Sequence, residues 1–175
     1  MTRTIPFAAL LMCGSVVAAG PTDSDALKAQ ATLAPTQGNA VSGQFDLSGT
    51  AKGVRLSGTV KGLTPGSRHG IHVHEAGDCS APDAKSAGEH YNPGKHLHGD
   101  PASARHHLGD MPNLVADSSG EASFETVVAD ATLAEGDKSL INRAIIVHAE
   151  ADDFKTQPSG ASGARVACGV IKAVP

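Results

Sequence analysis

The stretch Gly53-Val54-Arg55-Leu56-Ser57-Gly58-Thr59-Val60, closed by Leu63-Thr64-Pro65-Gly66 and followed by His69-Gly70-Ile71-His72-Val73-His74-Glu75, decides the fold class. Val54, Leu56, Gly58 and Val60 alternate with polar residues, the period of a half-buried strand. Pro65-Gly66 is a turn signal, and a β-branched run opens immediately after it. The same rhythm extends in both directions. Strands are expected at Leu27–Leu33, Ala40–Ser48, Asn113–Asp117, Glu121–Val128, Ala144–Glu150 and Ala164–Lys172, with Ser118-Ser119-Gly120 closing a hairpin. No helical period lasts more than a few residues, and no internal repeat is present. Eight short strands with Gly-rich turns predict an all-β protein, an eight-stranded antiparallel Greek-key barrel or sandwich.

Two long segments interrupt the rhythm, Ala76–Met111 and Asp152–Gly163. Loops of this length in a compact domain tend to carry function. The first holds most of the histidines. Of nine His in 175 residues, eight fall between His69 and His107, a clustering that makes metal chemistry the leading expectation.

Composition excludes other classes. Apolar residues make up 40% and charged residues 18%, too apolar and too weakly charged for a disordered chain. With one Tyr, four Phe, no Trp and a net charge of −4, the chain lacks the stacking platforms and the basic surface of a nucleic-acid binder.

The N-terminus reads as an address. Arg3 precedes the mostly apolar run Ile5–Val17, and Val17-Ala18-Ala19 places small residues where a signal peptidase cuts. Residues 1–19 are expected to be a signal peptide, 20–26 a flexible N-terminus, and 27–175 one domain. Loss of Arg3 takes the charge from −4 to −5. Export implies the periplasm. Cys13 lies in the apolar run, but Met12 is a poor residue to precede an acylated Cys, so no stable membrane association is expected. Cys79 and Cys168 remain; in an exported chain an even count reads as one disulfide, with two buried thiols as the alternative.

His72 and His74 lie two apart on a strand and share a face, a rigid pair for one ion. His148 ends the run Ile145-Ile146-Val147 and could come from a neighbouring strand. Three imidazoles on a β scaffold suit Cu, Zn, Ni or Fe(II). The loop adds His90, His96, His98, His106, His107 and Asp110. His90, His98, His107 and Asp110 would make a closed four-ligand set of the kind structural zinc prefers. Spacing alone does not assign ions, and His96 and His106 read as solvated.

These residues fall into blocks: His69–Glu75, Gly77-Asp78-Cys79-Ser80, Ser86-Ala87-Gly88-Glu89-His90-Tyr91-Asn92-Pro93, His98-Gly99, His107-Leu108-Gly109-Asp110, Val147-His148 and Arg165-Val166-Ala167-Cys168-Gly169-Val170-Ile171. In order and spacing the chain closely resembles the copper-zinc superoxide dismutases, exported bacterial branch, over about residues 27 to 173. The resemblance implies copper on His72, His74, His90 and His148. It implies zinc on His90, His98, His107 and Asp110, with His90 shared. It implies a Cys79–Cys168 disulfide, Arg165 lining the copper channel, and Asp152 as the carboxylate linking ligand histidines of the two metals. The implied activity is conversion of two superoxide anions to O₂ and H₂O₂ by Cu(II)/Cu(I) cycling, with Arg165 and His90 catalytic.

The chain departs from the pattern in two places. The loop after Asp152 has few charges, Asp153 and Lys155, where many members place several steering residues; Lys85 is a candidate to share that task. The segment Gly169–Lys172 lacks the apolar continuation used at the dimer contact of the eukaryotic branch, which leaves monomer and homodimer both open. Two rival readings exist. A cupin-type metal enzyme would need a second motif that is absent. A periplasmic copper or zinc buffer without catalysis would need neither Asp110, Arg165 nor a His-x-His strand.

Overall fold

The computed structural model describes Met1 and residues 27–174. The expected signal peptide, the tail 20–26 and Cys13 lie outside the described residues. The strands are β1 (Lys28–Pro35), β2 (Ser42–Thr50), β3 (Gly53–Lys61), β4 (Arg68–His69), β5 (Ile71–His74), β6 (Leu114–Val115), β7 (Ala122–Ala129), β8 (Ala144–His148), β9 (Arg165–Val170) and β10 (Lys172–Val174). They form an eight-stranded sheet in the order β5-β8-β9-β1-β2-β3-β7, with β10 beside β1, and a separate pair β4-β6. All named pairings are antiparallel. The fold is all-β, as the sequence predicts.

The strand count differs from the expectation for a local reason. The run His69–Glu75 breaks at Gly70, so β4 pairs with β6 while β5 pairs with β8. Likewise Ala164–Lys172 breaks at Ile171, whose backbone bonds to Asn142 and Arg143 instead of a strand. Counting each interrupted strand once restores eight. A third long connection, residues 130–143, was not anticipated; it is pinned by Leu133 and Leu140, both buried.

Alternation puts the core and the site on opposite faces. Ile71 and Val73 of β5 and Ile145 and Val147 of β8 enter the main core with Phe45, Leu47, Leu56, Met111 and Leu114. Phe45 meets Phe124 edge to face at 6.1 Å. The intervening residues face the other way. On β8, Ala144 and Ile146 pack with Ala84, Ala87 and Cys168 in a second apolar cluster beneath the long loop. On β5, His72 and His74 occupy that outer face, and they are buried because the two long loops close over them. Burial of each large aliphatic side chain contributes about 1.5–3 kcal/mol, which makes β5 and β8 a stiff platform.

Candidate metal centre

Backbone pairing brings the loops to the platform. Isolated antiparallel bridges set His72 opposite Asp110 and His74 opposite His90. Val73 N–H donates to Gly109 O at 2.9 Å and Val73 O accepts from Tyr91 N–H at 2.8 Å, so one residue of β5 holds the histidine-rich loop at two points, near its middle and near its end. Gly109 permits this: a Cβ there would collide with the Val73 carbonyl. His148 arrives from β8 after a register shift between Val147 and His148, a bulge that re-aims the side chain.

Two buried groups result. His72, His74, His90 and His148 offer one nitrogen each within 4.8 Å of one another, and His90, His98, His107 and Asp110 do the same with three imidazoles and a carboxylate. His90 belongs to both. Its Nδ1 meets Asp110 Oδ1 at 2.8 Å, while its Nε2 is buried without a hydrogen-bond partner. The six histidines and the carboxylate predicted from the sequence thus come together. His96 is exposed, as expected. His106 departs from expectation: it is half-buried, its Nδ1 2.6 Å from the His107 carbonyl. Neither joins either group.

Asp152 spans the two groups from behind. Its Oδ2 lies 2.7 Å from His72 Nε2 and its Oδ1 3.0 Å from His98 Nε2. That fixes the outward nitrogen of each ring and leaves Nδ1 facing inward, the usual arrangement behind metal-binding histidines. Gly160 packs against this carboxylate at φ +67°, and a Cβ there would strike it.

Electrostatics prepare the donors. Burial pushes His72 down to about 4 against the pull of Asp152, and pushes His74 and His148 well below the ordinary imidazole value, helped by neighbouring imidazoles. Burial also lowers His90, despite Asp110. Neutral imidazole is the form that binds metal. Burial alone would raise Asp110, but His107, His90 and His98 outweigh it and hold the carboxyl far below its usual range. Asp152 is likewise held down by His72 and His98 against its burial. His98 goes the other way: burial disfavours its charge, yet Asp110 and Asp152 raise it to about 9, so an ion here must displace a proton.

Three buried side-chain nitrogens lack a hydrogen-bond partner among the described residues: His72 Nδ1, His90 Nε2 and His107 Nδ1. His107 Nδ1 is 3.4 Å from Asp110 Oδ1, outside bonding geometry. Each orphaned group costs about 1–3 kcal/mol. All three belong to the two groups, so the donor set fits bound ions.

Arg165 opens β9 close by. Nη1 donates to Ala84 O at 2.8 Å and Nη2 to Gly88 O at 2.6 Å. Its half-buried guanidinium borders a cleft of about 610 Å³ with Thr36, Asn39, Asp83, Lys85 and Glu89. Burial lowers its pKa, and Glu89 and Asp83 work against that. Lys85 makes an exposed ion pair with Asp83 at 2.9 Å, which offsets the charge expected to help steer. The disulfide Cys79–Cys168 is present, with Cα atoms 5.8 Å apart.

Several supporting residues were not read from the sequence. His69 is buried, its Nδ1 2.8 Å from the His148 carbonyl. Arg143 lies 4.1 Å over the Tyr91 ring and bonds to the Glu75 carbonyl, tying residues 130–143 to the metal loop. The amides of Asn113 and Gln157 grip Asp152 and His98. The His-rich window marks the ligand candidates together with His69, whereas Asn113, Arg143 and Gln157 carry no periodic or compositional signal.

A curled antiparallel β scaffold bearing two adjoining nitrogen-rich groups that share one imidazole could hold two ions side by side. The profile of the family described as copper/zinc superoxide dismutase (SODC) matches residues 41–171. Superoxide dismutase [Cu-Zn] 2 of Aquifex aeolicus is 36% identical over 166 residues, 93% of this chain and 96% of that protein. Superoxide dismutase [Cu-Zn] of Caulobacter vibrioides is 46% identical over 126 residues, 69% of this chain and 72% of that protein. A solved double mutant of a SOD-like protein from Bacillus subtilis superposes with a TM-score of 0.75 at 35% identity, covering 82% of this chain and 96% of that one. The chain belongs to the copper/zinc superoxide dismutase family.

Proposed function

We propose that this chain is an exported superoxide dismutase, with copper held by His72, His74, His90 and His148 and zinc by His90, His98, His107 and Asp110. The observation that carries the reading is His90, which gives Nδ1 to the Asp110 side and keeps a buried, unpartnered Nε2 for the other three histidines. An all-imidazole group suits copper, and three imidazoles with one carboxylate suit a four-coordinate zinc. Copper, when bound, supplies the one-electron couple that takes an electron from one superoxide and returns it to the next, while zinc has no redox chemistry.

The chain's own residues supply the rest. Arg165 carries a permanent charge on a planar, multi-donor fork. Two of its nitrogens are anchored to loop carbonyls, and the group borders the cleft, where it can hold and orient a small anion. Peroxide formation consumes two protons for every pair of superoxides. His90 Nε2 is placed to hold one of them and release it to the reduced product, while Nδ1 stays with Asp110. Asp152 keeps His72 and His98 in fixed tautomers. Removal of residues 1–19 and passage to the periplasm fit a chain in which Cys79 and Cys168 are bridged.

Metal analysis with electron paramagnetic resonance, alongside a cytochrome c competition assay for superoxide, tests the reading. One copper and one zinc per chain, an imidazole-bridged signature and fast dismutation are expected. Bound metals without dismutation would make the chain a metal buffer instead.

A further inference from the structure

The one large apolar side chain of the segment Asp152–Gly163, Phe154, is half-buried and borders a cleft with Met111, Pro112 and Val127. Asp152, Gly160 and Ser162 are the buried members, while Lys155, Thr156, Gln157 and Pro158 are exposed. Much of the segment's order comes from polar bonds. Some are internal: Asp153 accepts from the Lys155 and Thr156 N–H groups and from the Thr156 hydroxyl. At its start the Asn113 amide donates to Asp152 O at 2.9 Å and accepts from Asp152 N–H at 2.8 Å.

In the middle of the segment Gln157 does the same to a different residue. Its Oε1 accepts from His98 N–H at 2.9 Å and its Nε2 donates to His98 O at 2.9 Å. The two bonds imitate a strand pairing and fix both peptide groups flanking the His98 Cα. The His98 ring is then held from both ends, Nδ1 at 3.0 Å from Asp110 and Nε2 at 3.0 Å from Asp152. Gln157 is therefore a second point, beside the Asp152 carboxylate, at which the second long loop grips His98, and the one that holds its backbone.

We infer that Gln157 is a positioning residue for the group His90, His98, His107 and Asp110. Its clasp on the His98 backbone makes the ordering of residues 153–161 and the retention of zinc mutually dependent. This rests on the zinc assignment made above. Zinc holds His98 in place, and His98 then presents the N–H and C=O that order the loop. Conversely, an ordered loop keeps His98 from swinging out and lengthens the residence of the ion.

The test uses the full, disulfide-intact chain loaded with zinc alone. Zinc release into a chromogenic chelator is timed, and hydrogen exchange is followed at the amides of His98 and residues 153–161. Gln157→Leu removes both bonds to His98 at similar volume, together with the Nε2 bond to Lys155 O at 3.2 Å inside the loop. Gln157→Glu keeps the acceptor and loses the donor. Asp153→Ala breaks bonds inside the loop and leaves the clasp intact. Release is expected to be about 10- to 100-fold faster in Gln157→Leu, the range typical for losing a partner of a metal-binding histidine. Gln157→Glu should be intermediate and Asp153→Ala close to wild type, with exchange following the same order. Equal release in Gln157→Leu and wild type overturns the inference, as does Asp153→Ala releasing as fast as Gln157→Leu. A wild-type chain that takes up no zinc overturns the assignment and, with it, the inference; the first two outcomes leave the assignment standing.

Discussion

His90 must serve two partners with one ring, and the surroundings make that feasible. Asp110 Oδ1 gathers the Nδ1 atoms of His90 and His98, while Oδ2 accepts backbone N–H bonds from Gly99 at 3.2 Å and His107 at 2.8 Å. One carboxylate thus offers an oxygen to the proposed zinc group and stitches the loop that carries His98 and His107. Asp110→Ala should lose zinc first in a chelator titration. Without metal it should also destabilise the fold by about 3 kcal/mol or more, the cost of breaking a buried charged network. Unchanged zinc affinity would reject Asp110 as a ligand. His148 differs, because it contributes to the all-imidazole group and makes no contact with Asp110. His148→Ala should lower copper content and reduce dismutation by orders of magnitude while zinc stays bound, measured by metal analysis beside the activity assay. Full activity with copper depleted would defeat the catalytic assignment.

At the scale of elements, what could be read from the sequence tracks what is periodic. The alternation of Val54, Leu56 and Val60 marks β3, and His72 and His74 share a face because strands repeat every two residues. The break at Gly70 carried no such mark, since the apolar pattern runs straight through it. It arises from non-local demands: Gly70 N–H donates to Glu150 O, its carbonyl accepts from His148 N–H, and Ser162 leaves no room for a side chain. The loop supports Asn113, Arg143 and Gln157 were hidden for the same reason, because an amide or guanidinium aimed at a distant carbonyl leaves no local signature. The cysteines were legible through parity and export. Their bond joins the metal loop to β9 over a separation of 89 residues. Arg165, on the same strand, donates to Ala84 O and Gly88 O of that loop. Reduction should therefore lower the unfolding free energy by on the order of 4 kcal/mol in the chain-entropy model and also release Arg165 from its two acceptors. Denaturant unfolding with and without reductant measures the first effect, and loss of activity with metals retained measures the second. The denatured oxidised chain should show no reactive thiol at Cys79 or Cys168, and freshly exported protein with both thiols free would refute the bond.

For the whole molecule the proposed activity poses an electrostatic problem: an anion would have to reach a negatively charged protein, −4 over the full sequence. Net charge opposes the approach at long range, so guidance must come from a local positive focus near the metal groups. The cleft at β9 holds one basic group of each kind, Lys85 and Arg165, beside Asp83 and Glu89. Lys85 is spent on Asp83 in an exposed pair, and Lys155 sits exposed on the second loop. Arg165 is left as the cation whose charge points into the cleft from a fixed position, held by two carbonyls. A focus of this kind can raise association rates roughly 10- to 1,000-fold, and its reach is set by salt, about 10 Å at 0.1 M. The dismutation rate of the wild type should therefore fall as ionic strength rises. Arg165→Lys keeps the charge but loses the planar fork, so its rate should drop modestly with the salt slope preserved. Arg165→Glu reverses the local sign; its rate should drop far more, and the response to salt should flatten or invert as screening relieves repulsion. Copper and zinc content should be unchanged in both variants, because Arg165 contributes no atom to either group. Rates measured by pulse radiolysis across a salt series check this. A glutamate variant with the wild-type rate and slope would remove Arg165 from the guidance of superoxide and make Lys155, the exposed cation of the second loop, the residue to substitute next.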